Sequence, residues 1–356
     1  MDSQIEAPIP ESAPFQLIAP DGTASPDAEV GLDPAQLREL LRVMIYARRL
    51  DRECIALQRQ GELTVYPGFE GQEAAQVGSA FALAPEDFVF PSFRELAAAL
   101  VRGVDPVTYL HYHRGTWHGG PYDPAATRFA PICVPVATQI CHAVGWALGS
   151  KLDAASACAI AYFGDGAASE GDFHEAANLA GVWRAPVVLF CQNNRWAISV
   201  PVEDQTAGEI WRRADGYGIA GIRVDGNDVL ATYRATRDAL ARARAGGGPT
   251  LIEAMTYRIG AHSTADDATR YRNGDDERWQ RLDPISRYRR YLVESGAADD
   301  AFAGACEREA EERVRAIRSE LVGTPDPPPH ELFDWVYADP PDSLLRQRAD
   351  AVGDAR

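Results

Sequence analysis

Residues 157–194 read ACAIAYFGDGAASEGDFHEAANLAGVWRAPVVLFCQNN, and their pattern decides the fold. Residues 157–163 form a short apolar run broken by Gly164-Asp165-Gly166, the signature of a strand buried on both faces and ending at a turn. Asp172 and Glu175 have the spacing of a capping box, and FHEAANLAGVW (173–183) continues as a helix. A second apolar run, PVVLFC (186–191), closes on Gln192-Asn193-Asn194. Strand, helix and strand in this order make a βαβ unit, with parallel strands and a right-handed crossover.

The alternation continues outward through IAGIRVD (219–225), a helical stretch over 228–245 and TLIEAM (250–255). The predicted fold class is α/β, a mostly parallel sheet flanked by helices. Upstream, Asp33-Pro34 supplies an N-cap and a first-turn proline for a helix. Further helical patterns cover 72–82, 94–101 and 137–152, while 115–128 reads as loop. Beyond Asp283-Pro284 the chain is helical and charged. The expected organisation is a loosely held arm over 1–32, a main domain over 33–322 and a tail over 323–356. A Pro-rich hinge (325–329) leads in that tail to Leu332, Phe333, Trp335, Val336 and Tyr337, an apolar group suited to a subunit interface.

Composition narrows the function. A net charge of −17 argues against a nucleic-acid partner, which the surface would repel. No run approaches the apolar length of a membrane span. The only lysine, Lys151, reads as a solvated helix end, so Schiff-base and P-loop chemistry have no good candidate. Six cysteines (54, 133, 141, 158, 191, 306) show no paired spacing, and the N-terminal residues lack the marks of a secretory or transit peptide. A reducing, cytoplasmic setting is expected. His111, His113 and His118 follow a helical pattern and read as surface histidines rather than metal ligands.

Asp165 and Asn194 each follow the carboxyl end of a buried strand, where open α/β sheets bind ligands. The loop GDGAASEG (164–171) fails the dinucleotide pattern, and Asp165 puts negative charge inside a would-be phosphate cradle. A carboxylate can face a diphosphate only across a divalent cation. Mg²⁺, which takes few protein oxygens plus substrate phosphates, suits Asp165 and an Asn194 amide oxygen. Two rival readings remain open. Ser169 lies in a near-match to a nucleophile elbow, although it comes well after the turn that an elbow serine must occupy. A non-catalytic scaffold would not need the charge at Asp165.

The Gly164-Asp165-Gly166 and Asn193-Asn194 pair resembles the binding motif of thiamine-diphosphate enzymes. The longer text resembles the α subunit of the E1 component of 2-oxo acid dehydrogenase complexes. It includes YPGFEGQEAAQVG (66–78), FPSFRE (90–95), VPVATQICHAVG (134–145) and RIGAHSTADDATRYR (258–272), and it runs from about residue 33 to 345. The resemblance implies a thiamine-diphosphate-binding fold with thiamine diphosphate and Mg²⁺ as cofactors. The implied metal ligands are Asp165, Asn194 and the backbone carbonyl of Trp196. Phe93, Arg94, Val134, Val136, Gly166, Ala167, Glu170 and His262 complete the implied cofactor-binding set, and His262 closes over the diphosphate as the catalytic candidate. Phe93 stands where a tyrosine is usual and Gln192 where an arginine often occurs. Cys133 and Val134 replace a serine pair, which counts against a potassium site described in relatives. The glutamate that hydrogen-bonds the cofactor's pyrimidine belongs to a separate β subunit in this family, and no glutamate here, Glu170 included, takes that role.

The implied partners are that β subunit, in an α₂β₂ heterotetramer, and a lipoylated E2 acyltransferase. The implied reaction is oxidative decarboxylation of a 2-oxo acid with acyl transfer to E2. HSTADD (262–267) and the apolar Phe93 and Val134 favour a branched-chain substrate such as 3-methyl-2-oxobutanoate, with pyruvate as the alternative. The loop over 258–272, rich in small and exposed charged residues, is expected to order around the cofactor.

Overall fold

The computed structural model describes residues 12–115, 122–272 and 276–353. Five parallel strands form the central sheet: β1 (Phe88–Phe90), β2 (Ala159–Gly164), β3 (Val187–Asn193), β6 (Ala220–Asp225) and β7 (Thr250–Met255). Their spatial order is β1-β2-β3-β7-β6. Two short strands, β4 (Trp196–Ala197) and β5 (Val200–Pro201), make an antiparallel hairpin directly after β3. The α/β reading holds, and the apolar runs are apolar for the expected reason. Every residue of β3 and β7 is buried. Alternate side chains feed two cores, with Ile160, Tyr162, Val188 and Phe190 on one face and Ala161, Phe163, Leu189 and Cys191 on the other.

Helices Thr138–Leu152 and Gly171–Trp183 cover the second face. Helices Pro34–Arg59, Glu73–Phe81 and Val229–Arg244 cover the first, with Asp300–Gly323 packed outside Pro34–Arg59. No helix among the described residues is long and apolar enough to cross a membrane.

Several local expectations are corrected. The capping box at Asp172 and Glu175 does not form. The helix starts two residues earlier, at Gly171, with Glu170 at its N-cap and no side-chain cap. Asp172 instead accepts a hydrogen bond from Thr138 Oγ1 (3.1 Å), tying the two helices of that face together.

Residues 12–32 of the expected arm are held down, while 1–11 lie outside the described residues. Phe15 exchanges backbone hydrogen bonds with Arg223 and Asp225 at the β6 edge (2.9 Å each). The buried Asp228 carboxylate accepts from the backbone N–H groups of Leu17 (2.7 Å) and Ile18 (2.6 Å). Alternation in Phe15-Gln16-Leu17 is a strand signal masked by its Pro- and Asp-rich surroundings.

His111 and His113 are buried rather than on the surface, because Pro106–Arg114 packs against Asp300–Gly323 and under the residue 64–66 segment. His118 lies outside the described residues. Leu332, Trp335, Val336 and Tyr337 are all more than half exposed.

Candidate functional site

The β2–β3 register, in which Gly164 pairs with Gln192, sets the carboxyl ends of these strands side by side. Asp165 follows one and Asn194 the other, and both are buried at the floor of a cavity of about 680 Å³. Phe93, Arg94, Val134, Val136, Asp165, Gly166, Ala167, Glu170, Asn194, Trp196 and His262 all line this one cavity. Ser169 does not, and no base is hydrogen-bonded to it among the described residues, so the nucleophile-elbow geometry is missing.

After β2 the chain makes a 3₁₀ turn, Gly166–Ser169, pressed against the β4–β5 hairpin. A Cβ on Gly166 would meet the Cβ of Ala197 at 2.8 Å, so only glycine lets the turn approach. The hairpin has its own strain. Arg195 (φ 74°) and Ile198 (φ 55°) adopt left-handed backbone, which turns the carbonyls of Trp196 and Ile198 toward Arg258.

Arg258 departs from the expectation of exposed charges along the loop over 258–272. It is fully buried. Its guanidinium donates to the carbonyls of Trp196 (3.2 Å) and Ile198 (2.8 Å) and to Tyr271 Oη (3.0 Å). It also reaches His262 Nδ1 (3.4 Å). Arg94, also buried, donates to the Gly68 carbonyl, to the His262 carbonyl (2.9 Å) and toward His262 Nδ1 (3.3 Å). All these acceptors are formally neutral, so two buried guanidiniums meet no carboxylate at hydrogen-bond distance among the described residues. Burial and Arg94 together push the Arg258 pKa down to about 10, and burial lowers that of Arg94. Two desolvated cations beside one cavity favour an anion there.

His262 lies between them. Burial, then Arg94 and Arg258, lowers its pKa to about 4, so the ring is neutral at pH 7. With Nδ1 facing two donors, the proton belongs on Nε2. Asp266 holds the loop by accepting from His262 N (2.7 Å) and from the Tyr271 hydroxyl. Phe93 stacks edge-on against His262 at 5.9 Å.

At the other side of the floor, burial raises the Asp165 pKa. Among the described side chains, Gln205 Nε2 alone donates to its Oδ2 (3.1 Å). Asn194 Oδ1 accepts from Trp196 N (3.2 Å), and its Nδ2 donates to Gln72 Oε1 (3.3 Å). No group of three or more His, Cys, Asp or Glu side chains is placed to hold a metal among the described residues. A cation here would rest on one carboxylate, one amide oxygen and one carbonyl. That oxygen-poor set leaves coordination positions for phosphate oxygens and water, as suits Mg²⁺. Together the cation-poor Asp165 end and the anion-poor Arg94–Arg258 end fit a metal–diphosphate.

Beyond the polar floor the cavity is apolar. Val65, Val134, Val136 and Ile198 line it while remaining 44–54% exposed, forming an uncovered rim. Sequence reasoning did not find Gln72, Gln205 or Arg258. Only the FEGQEA text (69–74) carried a signal for the first.

Residues 41–329 match the family model described as dehydrogenase E1 component. The chain is 48% identical over 343 residues to the 3-methyl-2-oxobutanoate dehydrogenase subunit alpha of Mycobacterium tuberculosis, covering 94% of this chain and 92% of that one. It is 38% identical over 351 residues to the pyruvate dehydrogenase E1 component subunit alpha of Bacillus cereus, covering 98% and 94%. The corresponding subunit of Staphylococcus aureus is 38% identical over 319 residues, covering 89% and 86%.

Proposed function

This chain belongs to the dehydrogenase E1 component family, and we propose that it is the α subunit of a branched-chain 2-oxo acid dehydrogenase E1. The reaction is decarboxylation of a substrate such as 3-methyl-2-oxobutanoate, followed by acyl transfer to the lipoyl group of an E2 acyltransferase. The observation that carries this reading is the cavity at the carboxyl ends of β2 and β3, lined by the buried carboxylate of Asp165 and the buried guanidinium of Arg94, with the second buried guanidinium, Arg258, behind its lining residues Trp196 and His262.

The family implies thiamine diphosphate, which when bound supplies the electron sink for decarboxylation. Its diphosphate would be held by Arg94, Gly166, Ala167 and His262, with Mg²⁺ on Asp165, Asn194 and the Trp196 carbonyl. Phe93 and Glu170, which line the same cavity, would border this part, and Val134 and Val136 would face the ring portion. Neutral His262 would donate from Nε2 to that anion, in the orientation held by its contacts with Asp266 and Arg258. Arg258, which donates to the Trp196 carbonyl, would screen the same charge from behind it.

The half-exposed apolar rim supports a site completed by a second chain. That chain would be a β subunit in an α₂β₂ assembly, bringing the pyrimidine-side glutamate. The exposed group at 332–337 would supply further subunit contact. The preference for a branched substrate rests on the 48% relative and on the apolar Val65, Phe93, Val134 and Val136. A change of one methylene shifts such selectivity by only ~1–3 kcal/mol.

The test is co-expression with the β gene and a panel of 2-oxo acids assayed with an artificial electron acceptor. Turnover dependent on Mg²⁺ and thiamine diphosphate, fastest with 3-methyl-2-oxobutanoate, is expected. Fastest turnover with pyruvate would reassign the substrate, and none with any 2-oxo acid would end the reading.

A further inference from the structure

Gln72 sits at the N-cap of helix Glu73–Phe81, yet its side chain makes no capping hydrogen bond. It is fully buried and lines the cavity that holds Asp165 and Asn194. Which of its amide atoms is free follows from a donor that cannot be misassigned. The backbone N–H of Trp196 points at one side-chain atom of Asn194 (3.2 Å), so that atom must be the oxygen. The remaining Asn194 atom is then the NH₂ group, and its partner on Gln72 (3.3 Å) must be Oε1. Gln72 Nε2, a double donor, is left buried without a partner among the described residues.

A buried NH₂ without an acceptor is costly, about 1–3 kcal/mol, unless something in the site accepts from it. No acceptor among the described residues lies within hydrogen-bond distance of Nε2. The N-terminus of a nine-residue helix beside Gln72 adds a field that favours negative charge. One helical turn on, Gln76 donates to the Arg94 carbonyl (3.0 Å) and accepts from Ala97 N (3.2 Å). The start of this helix therefore positions both ends of the site.

We propose that Gln72 is a further cofactor-binding residue, reading the diphosphate through Nε2 while its Oε1 sets the amide of Asn194 with the oxygen toward the metal. This deepens the proposed function and rests on it. The ligand chemistry is a metal-chelated diphosphate ester.

The experiment uses the assembled α–β protein, stripped of cofactor and titrated with thiamine diphosphate at saturating Mg²⁺ while intrinsic tryptophan fluorescence is followed. Gln72→Ala is expected to raise the Kd about 10–100-fold, the factor of a lost hydrogen bond to a charged group. Gln72→Glu keeps the volume and the acceptor for Asn194 but replaces the donor with a carboxylate, so it should bind more weakly than Gln72→Ala. Displacement by Mg²⁺-pyrophosphate should weaken by the same factor, which a loosened but diphosphate-blind cavity would not show. In both variants the Mg²⁺ concentration for half-saturation is also read. A thiamine diphosphate Kd within twofold of wild type, in Gln72→Ala or, if that variant does not assemble, in Gln72→Glu, overturns the inference. Wild-type protein that binds no thiamine diphosphate would refute the proposed function instead.

Discussion

Replacing Asp165 by asparagine should move stability and cofactor binding in opposite directions. The carboxylate is 2% exposed, its pKa is raised by burial, and a single glutamine donates to it from another side chain. Gln205, the backbone N–H groups of Asp165 and Asn194 and the charge of Arg258 offset this desolvation only in part, so the charge is held at a cost to the fold that asparagine, nearly the same in shape, does not carry. The expected gain in the cofactor-free state is about 1–3 kcal/mol. Differential scanning calorimetry on the α–β assembly in a chelator should then show Asp165→Asn melting higher than wild type, by ~2–6 °C. Saturating Mg²⁺ and thiamine diphosphate should reverse the order. Wild type gains ~2.7 kcal/mol at a ligand concentration of 100 Kd, and the variant gains almost none. If the variant melts lower than wild type in chelator, the buried charge is not the strained group described here. If both gain equally from cofactor, Asp165 is not its metal ligand.

Gly78→Ala, which would normally favour a helix by ~1 kcal/mol, should instead destabilise by about 1–3 kcal/mol. The new Cβ would stand 2.1 Å from Thr232 Oγ1 and 2.5 Å from the Val229 carbonyl, and a raised urea midpoint would contradict this packing. Arg94→Lys should weaken thiamine diphosphate binding about 10–100-fold, because one ammonium cannot span both the Gly68 and His262 contacts and still face an anion; an unchanged Kd by calorimetric titration would refute that. His113 is buried with its pKa lowered to about 4 by desolvation, against 6.5 when unfolded. The unfolded chain thus binds the extra proton first, and stability should fall as pH drops from 6.5 toward 4, by up to about 3 kcal/mol from this residue. His113→Gln should flatten the dependence of unfolding free energy on pH in that window; an unaltered slope would contradict the assignment.

The centre of the fold was legible because strands buried on both faces must be apolar at consecutive positions. Residues 157–163 and 186–191 announce themselves for that reason, and turn residues mark where each ends. Asp165 and Asn194 were legible as a pair because the βαβ unit fixes where strand ends lie. Arg258 was not, because its burial depends on carbonyls presented by the left-handed residues Arg195 and Ile198, a distant hairpin with no periodicity. Residues 12–32 were misread for a related reason, since the buried carboxylate that fastens them, Asp228, lies far along the chain. His113 was assigned to the surface from its own helix alone, although its ring donates to the Val65 carbonyl (3.2 Å) and packs on Tyr66.

Anomalous diffraction from crystals of the α–β assembly grown with thiamine diphosphate and Mn²⁺ in place of Mg²⁺ tests the central claim most directly. The account predicts one strong peak per α chain, within about 2.0–2.4 Å of an Asp165 carboxylate oxygen, Asn194 Oδ1 and the Trp196 carbonyl. The diphosphate should complete the shell between the metal and the Arg94–His262 side. A peak held by other residues, or diphosphate density away from Arg94 and His262, would contradict it.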